Sequence, residues 1–204
     1  MSYLNIISRA TLFSNLNTID RELASRCRLK GCPHCGGALH SAHYKRQPRG
    51  APIDIPEEHC VRYSLCCSKC RVRTLPTSVL FFGRKVYFGG VIVMLTAVAQ
   101  GLERRTLQSL CDQFRVSRKT IKRWLSYFLH AFPGSNIWKQ VRGQVSPHIG
   151  NLMLPLELLR WFFANHTCPQ RALLVCLCLL AGVPNIRDIS GGSEEKNSPQ
   201  KMAR

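Results

Sequence analysis

The sequence predicts a mainly α-helical fold with a small β element organised by a metal ion. Two Cys-x-x-Cys pairs lie in a stretch rich in Cys, Gly, Pro and His, and from Val79 onward apolar residues recur three and four positions apart. This helical pattern stops at Pro133 and Gly134 and then resumes. We therefore expect a zinc-ribbon β element, a three-helix helix-turn-helix domain and a C-terminal helical hairpin.

These patterns divide the chain into five segments. Apolar residues at near-helical spacing predict an amphipathic helix over residues 1–26. Residues 27–78 are interpreted as the zinc ribbon with an insertion, 79–132 as the helix-turn-helix domain, and 133–187 as a linker followed by the helical hairpin. The tail, 188–204, is mostly polar and is predicted to be disordered, because it cannot bury enough apolar surface to offset the entropy of ordering.

The composition indicates a polyanionic partner. The 204 residues include 29 Lys plus Arg against 11 Asp plus Glu, which gives a formal net charge of +18. Between Cys60 and Leu156 there are fifteen basic residues, and the only acidic ones are Glu103 and Asp112. Such a concentration of positive charge attracts nucleic acid, although ribosomal and membrane-surface proteins are also basic.

The eleven cysteines are expected to be reduced thiols of a cytoplasmic protein. Residues 1–10 contain polar breaks at Asn5 and Ser8 and do not resemble a signal peptide. Paired cysteines in a reducing compartment bind metal more often than they form disulfides. The uncharged run Val86–Leu102 could match a short membrane span, but it contains Gly89, Gly90 and Gln100. We expect a buried helix there, and no membrane partner.

The cysteine pairs have the spacing of a zinc site. Each Cys-x-x-Cys turn supplies two thiolates to a tetrahedron, and Gly36 allows the backbone conformation that follows the second ligand of the first pair. The interval between the pairs is about twice the usual fifteen to twenty residues, so residues 42–58 are interpreted as an insertion. Cys66 is an alternative to Cys67, but only Cys67 restores the two-residue spacing. The predicted ligands are Cys32, Cys35, Cys67 and Cys70, and the alternative ligands are His34, His40 and His43.

The zinc ion is predicted to be structural, and the protein is predicted not to be an enzyme. A catalytic zinc keeps an open position for water and commonly has a nearby Glu as general base, whereas four thiolates fill the coordination sphere. The sequence also lacks the His-x-Glu that zinc deaminases place before their cysteine pair.

Residues 106–125 have the apolar spacing of two helices joined by a tight turn. The first helix carries an apolar face ending at Phe114, Val116 enters the turn, and Ile121 and Trp124 begin the facing stripe of the second helix. Cys111 supplies a small side chain where the two helices touch. We expect Thr106 to cap the first helix and Ser117 the second.

One position departs from the usual turn. Arg115 stands where glycine is common, so either it adopts a left-handed conformation or the turn differs in detail. The outward positions of the second helix are cationic and suit the major groove of DNA, and further basic residues flank the ribbon's exit. The predicted DNA-binding residues are Ser117, Arg118, Lys119, Lys122, Arg123, Arg71, Arg73, Arg84 and Lys85.

Several stretches resemble a family of zinc-ribbon and helix-turn-helix proteins associated with bacterial transposable elements, related to the DNA-recognising N-terminal parts of transposases. The matching stretches are Cys32-Pro33-His34-Cys35-Gly36-Gly37, Leu39–Tyr44, Arg46–Gly50, Ser64–Cys67, Cys70–Arg73, Pro76–Val79 and Gly83–Tyr87. The resemblance implies a mobile-element setting. Full transposases of the common type need three separated carboxylates for two metal ions, and no such triad is evident, so the chain is expected to recognise DNA without cutting it.

We therefore expect a sequence-recognising, double-stranded DNA-binding protein that acts as a transposition accessory or regulator. One alternative is a protein interaction module that docks on a transposase, with the basic face incidental. Another is an RNA-binding protein that stacks single-stranded bases on Tyr63 and Tyr44.

Overall fold

The computed structural model describes residues 6, 10–52, 54–82 and 86–183, and these are mainly helical, as predicted. The helices are α1 (Ala10–Lys30), α2 (Gly89–Ala99), α3 (Leu107–Gln113), α4 (Arg118–Ser126), α5 (Asn136–Val141), α6 (Leu156–Asn165) and α7 (Pro169–Leu180). The strands are β1 (Leu39–Ser41), β2 (Tyr44–Lys45), β3 (Val61–Arg62), β4 (Leu65–Cys67), β5 (Arg73–Thr74), β6 (Phe81–Phe82) and β7 (Tyr87–Phe88). The predicted disordered tail, 188–204, lies outside the described residues.

Helix α1 is amphipathic, and it ends four residues beyond the predicted boundary at residue 26. Its buried face includes Leu12, Leu16 and Ile19, which pack into the main hydrophobic core. The helix ends where Gly31 adopts a left-handed φ of 76° and its N–H bonds back to the carbonyl of Arg28. This turn leads directly into the cysteine-rich segment.

In residues 31–78, here called the cysteine module, each described strand is two or three residues long. Strand β4 lies at the centre of an antiparallel sheet, with Leu39 opposite Cys67 on one side and Leu65 opposite Thr74 on the other. Strands β2 and β3 pair separately. The four site cysteines pack around Leu39 and Leu65 in a cluster separate from the main core, so the module has little apolar packing of its own.

The uncharged run at 86–102 forms a buried helix, as expected. Nearly every residue of α2 is buried, and the helix contacts α3, α4, α6 and α7. The hydroxyl of Thr96 donates to the carbonyl of Ile92 (2.7 Å), which satisfies this buried polar group inside the helix. Across the described residues, no helix is long and apolar enough to cross a membrane.

The predicted linker after residue 133 contains an unexpected helix. Helix α5 begins after Ser135, whose hydroxyl accepts from the N–H of Trp138 (3.1 Å). The indole of Trp138 is almost completely buried and donates to Asn151 (2.9 Å). Proline and glycine on both sides predict a linker here. The short helix forms because the buried tryptophan and the serine cap stabilise it.

Helices α6 and α7 pack against each other and against the rest of the core. The apolar pattern predicts two helices near residues 154–165 and 170–181, and the observed bounds lie within two residues of these. Thr167, before Pro169, is the cap that the sequence suggests for α7, but this prediction is wrong, because Cys168 occupies the cap position and makes no side-chain cap bond. Pro169 in the first turn fixes the start of the helix, since it needs no backbone N–H there.

Buried polar contacts attach α1 to the end of the cysteine module. The N–H of Val79 donates to Asp20 Oδ1 (2.7 Å), and the hydroxyl of Ser78 donates to Asp20 Oδ2. The hydroxyl of Tyr63 donates to Asn17 Oδ1 (3.0 Å). Burial raises the pKa of Asp20 to about 6, and these hydrogen bonds, together with the nearby charge of Arg62, only partly oppose the increase.

Asp20 should make stability depend on pH. Its pKa is 3.8 when exposed and about 6 when folded, so between these values the folded chain binds a proton that the unfolded chain does not. Wild type should gain about 1 kcal/mol in unfolding free energy relative to Asp20→Asn as the pH falls from about 7.5 to about 5. Urea unfolding at both pH values measures this difference. Exposed Asp54→Asn is the control, and parallel pH profiles for wild type and Asp20→Asn would contradict the expectation.

Candidate metal centre and basic helix face

The two Cys-x-x-Cys segments form the same backbone turn. In the first, the N–H of Gly36 bonds to the carbonyl of Cys32 (2.9 Å), and in the second, the N–H of Arg71 bonds to the carbonyl of Cys67 (3.1 Å). The N–H of each leading cysteine also bonds to the carbonyl five residues ahead, at 2.9 and 3.1 Å. Two equivalent turns therefore present four thiols to one another.

Each turn requires a left-handed residue after its second cysteine. Gly36 has a φ of 69°, which costs a glycine nothing, and Arg71 has a φ of 61°. A non-glycine residue in this region is strained by roughly 1–2 kcal/mol. Gly37 is tightly packed, because a Cβ there would lie 3.1 Å from Cys67 Sγ and 3.1 Å from Lys69 Cβ.

The sulfur atoms of all four predicted ligands lie within 4.8 Å of one another. Cys35 and Cys67 are 3.5 Å apart between Sγ atoms, and Cys32 and Cys70 are 3.7 Å apart. Disulfide sulfurs are about 2.05 Å apart, whereas a tetrahedral metal with bonds of about 2.3 Å places its sulfur ligands about 3.8 Å apart. The spacing suits four ligands of one metal ion.

The structure places Cys67 in the site and Cys66 outside it. Successive strand residues point to opposite faces, and the thiol of Cys66 faces the carbonyl of Arg71 (3.5 Å). Among the described residues, no other group of three or more potential ligands is close enough to hold a metal. His43, one of the alternative ligands, instead uses Nδ1 to contact the N–H and carbonyl of Ser64.

Two backbone N–H groups favour the thiolate form of Cys67. The N–H groups of Cys70 and Lys69 point at Cys67 Sγ, at 3.5 and 3.4 Å. The bond from the Cys70 N–H is the largest cause that lowers the pKa of Cys67 to about 6. The thiolate is the form that binds metal, so the backbone of the second turn favours the metal-binding form of Cys67.

The second functional candidate is the α3–α4 pair. Ser117 caps α4 as predicted, since its hydroxyl accepts from the N–H of Thr120 (3.2 Å). Arg115 takes the left-handed alternative, with a φ of 50°. Cys111 is buried, and its carbonyl accepts from the N–H of Val116 in the turn (2.9 Å). Thr106 does not cap α3, because its hydroxyl donates to the carbonyl of Glu103 instead.

The outward side of α4 is cationic and exposed, while Ile121 and Trp124 are buried on the opposite side. Within the described residues, none of the α4 cations has an ion-pair partner. Arg123 donates to the hydroxyl of Tyr87 (3.3 Å), whose ring packs edge-on against Trp124. The exposed cations on this helix are Arg118, Lys119, Lys122 and Arg123.

The other predicted DNA-binding residues lie elsewhere. Arg71 and Arg73 are exposed on the cysteine module, where the guanidinium of Arg73 lies over the ring of Tyr44 (5.6 Å). Arg84 and Lys85 fall outside the described residues. Tyr63, a candidate for base stacking, is buried and hydrogen-bonded, so it is not available to a nucleotide.

Comparison of the chain with protein-family models, curated proteins and solved structures gives no match. Function must therefore be inferred from the chemistry and geometry of the chain itself.

A matched pair of neighbouring cysteines tests the site. Cys67→Ser should abolish stoichiometric binding of one Zn²⁺ per chain, because it removes a ligand that faces the other three sulfurs. Cys66→Ser should retain the ion, since Cys66 faces a backbone carbonyl. Native mass spectrometry after zinc loading and dialysis measures the ratio. Loss of the ion in Cys66→Ser with retention in Cys67→Ser would overturn the ligand assignment.

Proposed function

We propose that this chain is a non-enzymatic, double-stranded DNA-binding protein in which α3 and α4 act as a helix-turn-helix and α4 enters the major groove. The observation that carries the proposal is the exposed stripe of α4 cations that have no ion-pair partner among the described residues. In a chain with a formal net charge of +18, this stripe is suited to an external polyanion.

The placement of the cations on α4 supports this proposal. Arg118 and Lys122 are four residues apart, as are Lys119 and Arg123, so each pair shares one side of the helix. Like charges at this spacing destabilise an isolated helix by a few tenths of a kcal/mol per pair. Phosphate groups on a partner would remove that repulsion, whereas water screens it only in part.

The dimensions also fit. An α-helix with its side chains is about 10–12 Å across, and the major groove of B-DNA is about 12 Å wide. Buried Ile121 and Trp124 fix the inner side of the helix to α2 and the β6–β7 hairpin. The outer side is therefore presented by a rigid support, which reduces the entropy lost on binding.

We further propose that the four-sulfur site holds a structural Zn²⁺ as part of a zinc ribbon. Four thiolates leave no open position for substrate or water. The cysteine module has little apolar packing of its own, so the metal would supply much of its folding free energy, on the order of 10 kcal/mol. The role in a bacterial mobile element, as accessory or regulator, rests on the resemblance described above. A transposase gene or terminal inverted repeats beside this gene would support the accessory role.

A protein interaction module is the second candidate function, and an apolar groove favours it. The groove has a volume of about 590 Å³ and lies between β6, α4, α5 and the end of α7. Tyr127 and Ile137 are both more than a third exposed along it. A transposase or another protein could cover these side chains, and Arg123 of the basic face lines the groove beside them.

Removing two α4 cations should weaken DNA binding in a salt-dependent manner. For Lys122→Ala with Arg123→Ala, the slope of log affinity against log salt should flatten by about two units, one for each lost phosphate contact. At about 0.1 M salt the affinity should fall on the order of fiftyfold. Fluorescence anisotropy with a duplex of arbitrary sequence, titrated between about 50 and 200 mM salt, measures both quantities.

The control removes the same charge elsewhere. Arg160→Ala with Arg171→Ala changes two exposed cations on the α6–α7 pair and should leave the slope within error of wild type. If the α4 and control variants behave alike, α4 is not the DNA-binding element. If wild type does not bind the duplex while it captures a transposase, the interaction module is the better description.

A further inference from the structure

The insertion within the cysteine module is attached to the α3–α4 region. The N–H of Arg49 bonds to the carbonyl of Val86 (2.9 Å), and the carbonyl of Arg49 accepts from the N–H of Phe88 (2.7 Å). Phe88 is fully buried and immediately precedes α2. The insertion therefore pairs with the strand that leads into the buried helix, instead of extending away into solvent.

Close packing holds the loop beside the turn between α3 and α4. Gly50 has a φ of 78°, and a Cβ at this position would lie 3.3 Å from Val91 and 3.4 Å from Val116. Pro48 and Pro52 are buried on either side. The backbone of the loop thus packs against α2 and against the turn before α4. These two contacts fix the position of the loop relative to α4.

A cleft of about 500 Å³ separates this loop from the start of α4. Residues 47–51 form one wall, residues 114–117 with Thr120 form the other, and Tyr87 lies between them. Arg49 and Arg115 are exposed, one in each of these two segments, and no acidic residue of the described part of the chain lines the cleft. Among the described residues neither arginine has an ion-pair partner.

We propose that Gln47 and Arg49 form a second DNA contact, in which the cleft receives the sugar-phosphate strand beside the groove that α4 enters. This inference rests on the proposed function. The guanidinium of Arg49 would bind a phosphate from one side of the strand while Arg115 and the Ser117 end of α4 approach it from the other. The cysteine module thereby contributes directly to DNA binding through its insertion, in addition to folding around a metal.

The geometry supports a strand more than a separate small anion. The cleft is open, and its two exposed arginines come from segments far apart in the sequence, residues 47–51 and residues 114–117. An extended, repeatedly charged ligand can contact both segments in succession. The open shape and the positive charge therefore favour a polymer backbone.

Substitution of Arg49 provides the test. Arg49→Gln should reduce duplex affinity about five- to tenfold at about 0.1 M salt and flatten the salt slope by about one unit. Arg49→Lys should restore most of the slope, because it keeps the charge. Gln47→Glu should weaken binding as well, since it places a negative charge on the cleft wall. Arg171→Gln and Ala164→Glu make the same charge changes on α7 and α6, and both should leave binding close to wild type.

The outcomes separate this inference from the proposed function. If Arg49→Gln and Gln47→Glu bind DNA as wild type does while the Lys122 and Arg123 variant is defective, the loop contact is wrong and the function of α4 stands. If millimolar inorganic phosphate competes at constant ionic strength and Arg49→Gln abolishes only that competition, the cleft is a small-anion site and the proposal fails. Thermal unfolding should show wild-type stability for each variant, because Gln47 and Arg49 have exposed side chains.

Discussion

The approach of four cysteine sulfurs is the constraint on which the front half of the molecule depends. It joins two turns that are separated by a long stretch of chain, and it does so in a module whose strands are two or three residues long. Strands of this length cannot specify a register by themselves. Once the turns are joined, strand β4 is fixed between β1 and β5, and the insertion is held at both of its ends.

The consequences extend from the cysteine module into the helical core. Helix α1 leads into the module, and buried Asp20 then bonds to the chain where the module ends, at Ser78 and Val79. The insertion returns to pair with Val86 and Phe88 beside α2. These connections attach the cysteine module to the helices, so the basic face of α4 is oriented relative to the four-cysteine site.

The cations on α4 are the electrostatic feature that supports the proposed function. The ion pairs of the described residues lie on α1, on the insertion and on α6, whereas the cations around α4 are left without one. Unpaired like charges destabilise a folded protein slightly, and on α4 four of them lie within six residues, 118–123. The anionic partner proposed above would neutralise this cluster.

The sequence by itself determined the features that depend on residues close together in the chain. Both Cys-x-x-Cys turns, the Ser117 cap, the buried run at α2 and the apolar stripes of α6 and α7 all follow from spacing and from local hydrogen bonding. The two-residue spacing favoured Cys67 over Cys66, and the tertiary structure confirmed that choice. The tertiary structure alone decided that Trp138, whose indole bonds to Asn151, stabilises a helix inside the predicted linker, and that residues 47–51 line a cleft together with residues 114–117. These features depend on contacts between separate segments, whose free energy appears only after the chain has packed and cannot be deduced from local pattern.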